Sequence, residues 1–163
     1  MEIYPKYCQK RNLVLGCGNI LFGDDGFGPE FIDNYLSKHP VPENTYFLNA
    51  GTSIREILFN LTLSEKKPEK IIIIDAVDMG EKPGDVFEID IDAMPLKNID
   101  DFSMHQIPTS NLLKELKENC KVDVRILSVQ IENIPEAVCP GLTDTLKLSM
   151  NVMYKKLIKI LEE

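Results

Sequence analysis

Two aspartates and one histidine stand out in this sequence because their side chains can bind a metal ion or move a proton. Asp25 lies in the glycine-rich stretch GCGNILFGDDGFG (16–28), Asp75 ends the apolar run IIIID, and His105 lies in a later loop. Carboxylate oxygens and imidazole nitrogens are common metal ligands, and a three-ligand site leaves coordination positions open. Both groups also serve as general acids and bases. The three residues therefore form a candidate metal-binding or catalytic site.

Each of these residues also has a simpler structural interpretation. Asp25 or its neighbour Asp24 could cap the helix that follows. Asp75 could accept hydrogen bonds from loop amides at a strand end, and a loop histidine such as His105 is most often solvated. A second histidine, His39, lies in a proline-rich loop and is predicted to be an ordinary surface residue. These alternatives stay open on spacing alone.

The glycine-rich stretch also resembles a nucleotide-binding loop. The letters GCG (16–18) match the start of the dinucleotide-binding pattern G-x-G-x-x-G, but Leu21 occupies the third glycine position. A side chain there would block close packing of a helix on the strand. Asp24 and Asp25 would face the phosphates with the wrong charge, and no lysine follows the glycines as in a P-loop. A cation fits this stretch better than a phosphate.

Apolar strands alternate with amphipathic helices along the chain, and this alternation positions the candidate residues. Strands are predicted at 12–17, 45–50, 70–76, 86–91 and 123–131. Helices are predicted around Pro29, after a Ser53–Glu56 capping box, after Thr109 or Ser110, and after a Thr143 cap. The alternation indicates an α/β fold, a three-layer α/β/α sandwich with a mostly parallel twisted sheet. The alternating apolar and acidic residues of 86–91 indicate an edge strand, which could run antiparallel.

The predicted fold gathers the loops at the carboxyl ends of its strands at one edge of the sheet. The β-branched run at 70–76 indicates a central strand covered on both faces. Asp75 is therefore expected in the crevice at the middle of that edge, with Asp25 in the loop after the first strand. The turn before Asp25 is predicted to be shaped by residues that tolerate left-handed backbone, namely Gly16, Gly18 and Asn19.

Length and composition restrict the class of protein. The 163 residues fit one domain, 1–163, in which 1–11 is interpreted as an N-terminal extension. The net charge of -8 makes nucleic acid and anionic membranes poor partners. No run approaches the ~18 apolar residues of a membrane span, and no apolar segment of a secretory signal is seen, so a cytoplasmic location is expected. Four cysteines without a C-x-x-C pair are interpreted as reduced, buried thiols, although Cys139 would be reactive if exposed.

Taken together, these segments resemble the maturation endopeptidases of nickel-iron hydrogenases. The opening motif GCGNILFGDDGFGPEFI, the central strand and turn IIIIDAVDMGEKPGDV, and the histidine loop SMHQIPTSNLL are each similar to that family. The same holds for the last strand ILSVQIENI and for PGLTDTL before the final helix. The resemblance covers most of residues 12–160 in order. It is strongest to the archaeal type that serves deazaflavin-reducing hydrogenases.

The resemblance implies a reaction, a partner and a set of site residues. The metal-contacting positions of the family correspond to Asp25, Asp75 and His105, which are implied to be both metal ligands and catalytic residues. The implied reaction removes the C-terminal tail of a hydrogenase large-subunit precursor after nickel insertion. Nickel would be supplied by that substrate, although another divalent metal could occupy the site in isolation. A non-catalytic assembly module and a small-molecule hydrolase with the same three residues remain alternatives, whereas no Ser–His–Asp order supports a nucleophilic protease.

Overall fold

Helices and strands alternate along the chain as the sequence predicts. The computed structural model of the protein describes residues 4–93 and 110–163. The strands are β1 (Asn12–Cys17), β2 (Thr45–Gly51), β3 (Lys70–Val77), β4 (Val86–Ile89) and β5 (Asp123–Gln130). The helices are α1 (Phe27–Lys38), α2 (Ile54–Leu63), α3 (Ser110–Glu118) and α4 (Asp144–Leu161). Short 3-10 turns cover Lys6–Cys8, Gly23–Gly26 and Ile91–Ala93.

The described strands form one sheet in the order β2-β1-β3-β5-β4. All neighbours are parallel except β4, which pairs antiparallel with β5 at the edge. β3 occupies the centre, and its residues 71–77 are buried because helices cover both of its faces. The predicted α/β class, the central position of β3 and the antiparallel edge strand are therefore confirmed.

Each face of the sheet has its own apolar core. On one face, called the α1–α4 face, α1 and α4 pack through side chains that include Phe31 and Met153. On the other face, called the α2–α3 face, α2 and α3 contribute Leu58 and Leu116. The segment before β1, which was predicted to be an extension, packs on the α2–α3 face, where Cys8 is buried in the core.

The first turn of α1 lies directly against the ends of β1 and β3 because both sides of the contact carry glycine. A Cβ atom on Gly28 would lie 2.2 Å from Cys17 O and 2.5 Å from Ile74 O. A Cβ atom on Gly16 would lie 2.3 Å from the carbonyl oxygen of Gly28. The sequence pattern placed Leu21 where a close-packing glycine would be needed, whereas Gly28 provides the close contact in the structure. This contact holds the start of α1 at the carboxyl edge of the sheet.

The helix starts agree with only part of the predicted capping. Thr143 precedes α4, and its Oγ1 accepts a hydrogen bond from Leu146 N at 3.4 Å, as predicted. The predicted capping box of Ser53 is wrong, because Ser53 has φ -95° and ψ 15° and its side chain makes no capping hydrogen bond. An N-cap side chain reaches the helix amides from extended backbone, which Ser53 does not adopt. Within 4–93 and 110–163, no helix combines the length and apolar character needed to cross a membrane.

Candidate active site

The turn that carries Asp25 is folded back onto the end of β1. Gly18 follows β1 with φ +148°, and a Cβ atom there would lie 2.0 Å from the carbonyl oxygen of Asp25. The 3-10 turn Gly23–Gly26 also packs against β3. Glycine at position 18 is therefore required both by its backbone conformation and by the closeness of the following turn. The result places Asp25 over the carboxyl edge of the sheet, as the sequence predicts.

Asp25 is held in this position by the backbone of the same loop. Its side chain is buried, and its Oδ2 atom accepts a hydrogen bond from Asn19 N at 3.0 Å. The Asn19 side chain in turn accepts a hydrogen bond from Leu21 N at 3.0 Å. Asn19 was predicted to shape this turn by adopting left-handed backbone. It lies in the turn, but its backbone is not left-handed. It shapes the loop through its side-chain oxygen, as asparagine commonly does in turns.

Asp75 lies at the neighbouring strand end, on the α2–α3 face. It is buried, its Oδ1 atom accepts a hydrogen bond from Ala76 N at 2.8 Å, and β3 continues beyond it to Val77. Burial, and secondarily the charge of Asp75, raise the pKa of the Cys17 thiol well above its usual range. The pairing of Gly16 with Ile74 places Asp75 beside the end of β1. Asp75 therefore lies near the carboxyl end of β3, and Asp25 lies in the turn that follows the adjacent strand β1.

The predicted third ligand, His105, lies outside the described residues. Within 4–93 and 110–163, no three His, Cys, Asp or Glu side chains are grouped so that they could bind a metal ion. The two aspartates alone thus do not form the three-ligand site that the sequence predicts. The described chain resumes with α3, five residues after His105. α3 packs on the same sheet face as Asp75.

Asp24 has a different function from its neighbour. Its Oδ2 atom accepts hydrogen bonds from the backbone amides of Glu132 and Asn133, both at 2.9 Å. Its Oδ1 atom accepts from Thr143 N at 2.8 Å and from Thr143 Oγ1 at 2.9 Å. The Asp24 side chain is fully buried, and α1 has Gly26 as its N-cap without a side-chain cap, so neither aspartate caps that helix. Asp24 instead fastens the loop between β5 and α4 to the turn that carries Asp25.

Replacing Asp24 with asparagine is expected to destabilise the protein by about 3 kcal/mol, because each carboxylate oxygen accepts two charge-assisted hydrogen bonds in a buried position. Asparagine would present an amide group to two of those donors. Urea unfolding followed by circular dichroism measures the change, with Asp25→Asn as the matched neighbour that should lose less. A free energy of unfolding equal to that of the wild type would show that the Asp24 contacts do not hold the loop.

Gln130 holds the loop that follows β3 at the carboxyl edge of the sheet. Its Oε1 atom accepts hydrogen bonds from Met79 N at 2.9 Å and Glu81 N at 3.2 Å. Its Nε2 atom donates to Asp78 Oδ1 at 3.1 Å. Sequence reasoning missed this residue because a glutamine at the end of a strand carries no local pattern. It fixes the loop that follows β3, which begins three residues beyond Asp75.

The remaining histidine and the exposed cysteine lie outside the predicted site. His39, predicted to be an ordinary surface residue, is half-buried and stacks on Tyr154 with ring centroids 4.2 Å apart, because it ends α1 beside α4. Cys139 is exposed, against the prediction of a buried thiol, because it lies in the β5–α4 loop. Its backbone is bound at the carboxyl edge, where Cys139 N donates to Leu21 O at 2.8 Å. The cysteines are free thiols, as predicted, and Cys8 and Cys17 are buried.

Comparisons with known proteins connect this geometry to a family. The family model described as hydrogenase maturation protease matches residues 32–160. The delta subunit of the coenzyme F420 hydrogenase from Methanothermobacter thermautotrophicus is 38% identical over 139 residues, or 83% of this chain and 84% of that protein. The hydrogenase 3 maturation protease of Escherichia coli is 28% identical over 146 residues, or 90% of this chain and 88% of that protein.

Solved structures of such proteases share the fold. The solution structure of the endopeptidase HycI from Escherichia coli gives a TM-score of 0.69 at 25% identity, covering 90% of this chain and 88% of that one. The maturation protease HybD from Thermococcus kodakarensis gives 0.65 at 25% identity, covering 92% of this chain and 98% of that one. The chain therefore belongs to the hydrogenase maturation protease family and is a peptidase.

Proposed function

We propose that this peptidase removes the C-terminal tail of a nickel-iron hydrogenase large-subunit precursor once nickel has been inserted. The family supports a hydrogenase precursor as the partner. The similarity to a subunit of a coenzyme F420 hydrogenase supports a deazaflavin-reducing hydrogenase as its source. In this proposal the substrate-bound nickel is the element that the protein recognises.

One observation carries the proposal: the buried Asp75 lies near the carboxyl end of β3, and the buried Asp25 lies in the turn that folds back onto the end of the adjacent strand β1. A buried carboxylate gains from a nearby cation, so a positively charged group that reaches this edge would be bound. The same carboxylates could accept a proton from a water molecule that attacks the peptide bond. His105 is proposed to complete the set, because it precedes the helix that packs on the Asp75 face.

The donor set explains why nickel would arrive with the substrate. Asp25, Asp75 and His105 offer carboxylate oxygens and one imidazole nitrogen. The Cys17 thiol beside Asp75 adds no thiolate, because burial and the aspartate charge raise its pKa and keep it protonated. Nickel affinity rises with nitrogen and sulfur donors and with ligand number, so these residues alone would hold the ion weakly. Cysteine thiolates of the precursor could hold nickel near the tail, and the carboxylates would fill its open positions.

We expect the isolated protein to contain little nickel, to trim a nickel-loaded precursor and to leave the metal-free precursor uncut. Only the loaded precursor brings a cation to the two buried carboxylates, whereas the metal-free precursor offers them none. Incubating the protein with each precursor and comparing the masses of the products measures the difference directly. Elemental analysis of the purified protein reports its nickel content.

Equal trimming of both precursors would contradict nickel-dependent recognition but not the removal of the tail. Stable binding of the loaded precursor without any trimming would instead support the alternative of an assembly module. A precursor that lacks the C-terminal tail is the control, because its mass should not change under any of these conditions.

A further inference from the structure

Three polar or reactive side chains form a row across the central strands on the otherwise apolar α2–α3 face. Asp75 on β3 pairs with Ser128 on β5 in the parallel ladder. On the other side, Gly16 pairs with Ile74, so Cys17 on β1 lies next to Asp75. Paired residues of parallel strands point to the same face of a sheet. The set Cys17, Asp75 and Ser128 is called the polar row.

Ser128 is the member of this row whose polar side chain the described contacts of the fold do not account for. Its side chain is fully buried, and its Oγ atom makes no hydrogen bond to any residue within 4–93 and 110–163. A buried hydroxyl group without a partner loses its hydrogen bonds to water and gains nothing in return. Its neighbours on the same face of β5, Val124 and Ile126, are apolar core residues. Alanine would fill this position without that cost, so fold stability does not explain the serine.

The geometry supplies a partner for the hydroxyl group. Asp75 is the direct ladder neighbour of Ser128, and its Oδ1 atom is turned to the amide of Ala76 at 2.8 Å. A rotation of the Ser128 side chain between staggered rotamers can direct its O–H toward the carboxylate. A carboxylate that binds a cation is commonly held by hydrogen bonds from such neighbouring donors.

We propose that Ser128 is a positioning residue that donates a hydrogen bond to the Asp75 carboxylate during the peptidase reaction. The inference rests on the proposed function, since it assigns Asp75 to the site. Ser128 is fully buried in strand β5 and cannot touch the precursor itself. Its hydroxyl group orients the carboxylate when Asp75 meets the substrate. It acts only through the Asp75 carboxylate.

The test compares two buried serines that should respond in opposite ways. Ser149 is also buried, but its Oγ atom donates to Gly84 O at 2.6 Å and therefore has a structural function. We expect Ser128→Ala to keep or raise the urea midpoint of unfolding and to lower kcat for the nickel-loaded precursor roughly 10- to 100-fold. Ser149→Ala should lower the urea midpoint and leave kcat unchanged. Ser128→Cys keeps a weaker donor in a similar volume and should give an intermediate kcat.

Two outcomes would overturn the inference. If Ser128→Ala lowers the urea midpoint as Ser149→Ala does, the hydroxyl group has an ordinary structural partner. If Ser128→Ala trims the precursor at the wild-type rate, the hydroxyl group does not position Asp75, although the proposed function survives. A wild-type protein that leaves the loaded precursor untrimmed would instead overturn the proposed function, and with it the assignment of Ser128.

Discussion

Replacing Asp25 with asparagine is expected to slow trimming of a nickel-loaded precursor by at least about 100-fold while the protein stays folded. In the proposed function, the substitution removes a negative charge that would contact the cation and a group that would accept a proton. It preserves the shape of the side chain and one oxygen, which can still accept the hydrogen bond that Asn19 N donates to Oδ2 at 3.0 Å. Mass spectrometry of the precursor over time measures the rate, and circular dichroism reports the fold.

Asp33→Asn is the matched control, because Asp33 is exposed on α1 and its carboxylate accepts long hydrogen bonds from the side-chain amide of Asn49, at 3.4 Å. Its trimming rate should stay close to that of the wild type. An Asp25→Asn protein that trims as fast as Asp33→Asn would remove Asp25 from the site. A loss of trimming accompanied by an equal loss of stability would assign Asp25 a structural function.

Replacing Gly28 with alanine is expected to reduce the free energy of unfolding by more than about 3 kcal/mol. The added methyl group would lie 2.2 Å from Cys17 O and 2.5 Å from Ile74 O, and neither backbone atom can move without distorting the sheet. α1 would have to shift away from β1 and β3, and the turn that carries Asp25 would shift with it. Urea unfolding measures the loss of stability, and the trimming assay reports the displaced site.

Gly80→Ala provides the comparison, because Gly80 has φ +73° and a Cβ atom added there would meet no described atom within 4 Å. This substitution should reduce the free energy of unfolding by only about 1 to 2 kcal/mol, because alanine is less favourable than glycine in left-handed backbone. The difference between the two variants isolates the contact of helix on strand from backbone strain. A Gly28→Ala protein as stable as Gly80→Ala would show that α1 can shift freely.

The fold could be predicted from the sequence because its signals are local and repeated. The β-branched residues of β3 predict a buried central strand, and the acidic alternation of β4 predicts an edge strand. Packing contacts between distant elements were harder to predict from the sequence. The need for glycine at position 28 depends on a carbonyl oxygen of β1, which no pattern within α1 reveals.

The site could be predicted only in part, for the same reason. Asp75 was singled out because it closes an apolar strand, and Asp25 because it lies in the loop that follows one. Asp24 could not be separated from Asp25 in function, because its partners lie in a loop that is distant in sequence. Gln130 and Ser128 were missed because a single polar residue in a strand resembles many others until the ladder shows its neighbours.

The contacts of Asp24 also determine when the site can form during synthesis. Its partners Glu132 and Thr143 lie 108 and 119 residues further along the chain. Contacts of such long sequence separation close late, since the intervening chain must be made and folded first. While the nascent chain is shorter, the Asp24 carboxylate stays hydrated and the turn beside it is unfastened. The turn that carries Asp25 can therefore be held in place only after Thr143 has been translated.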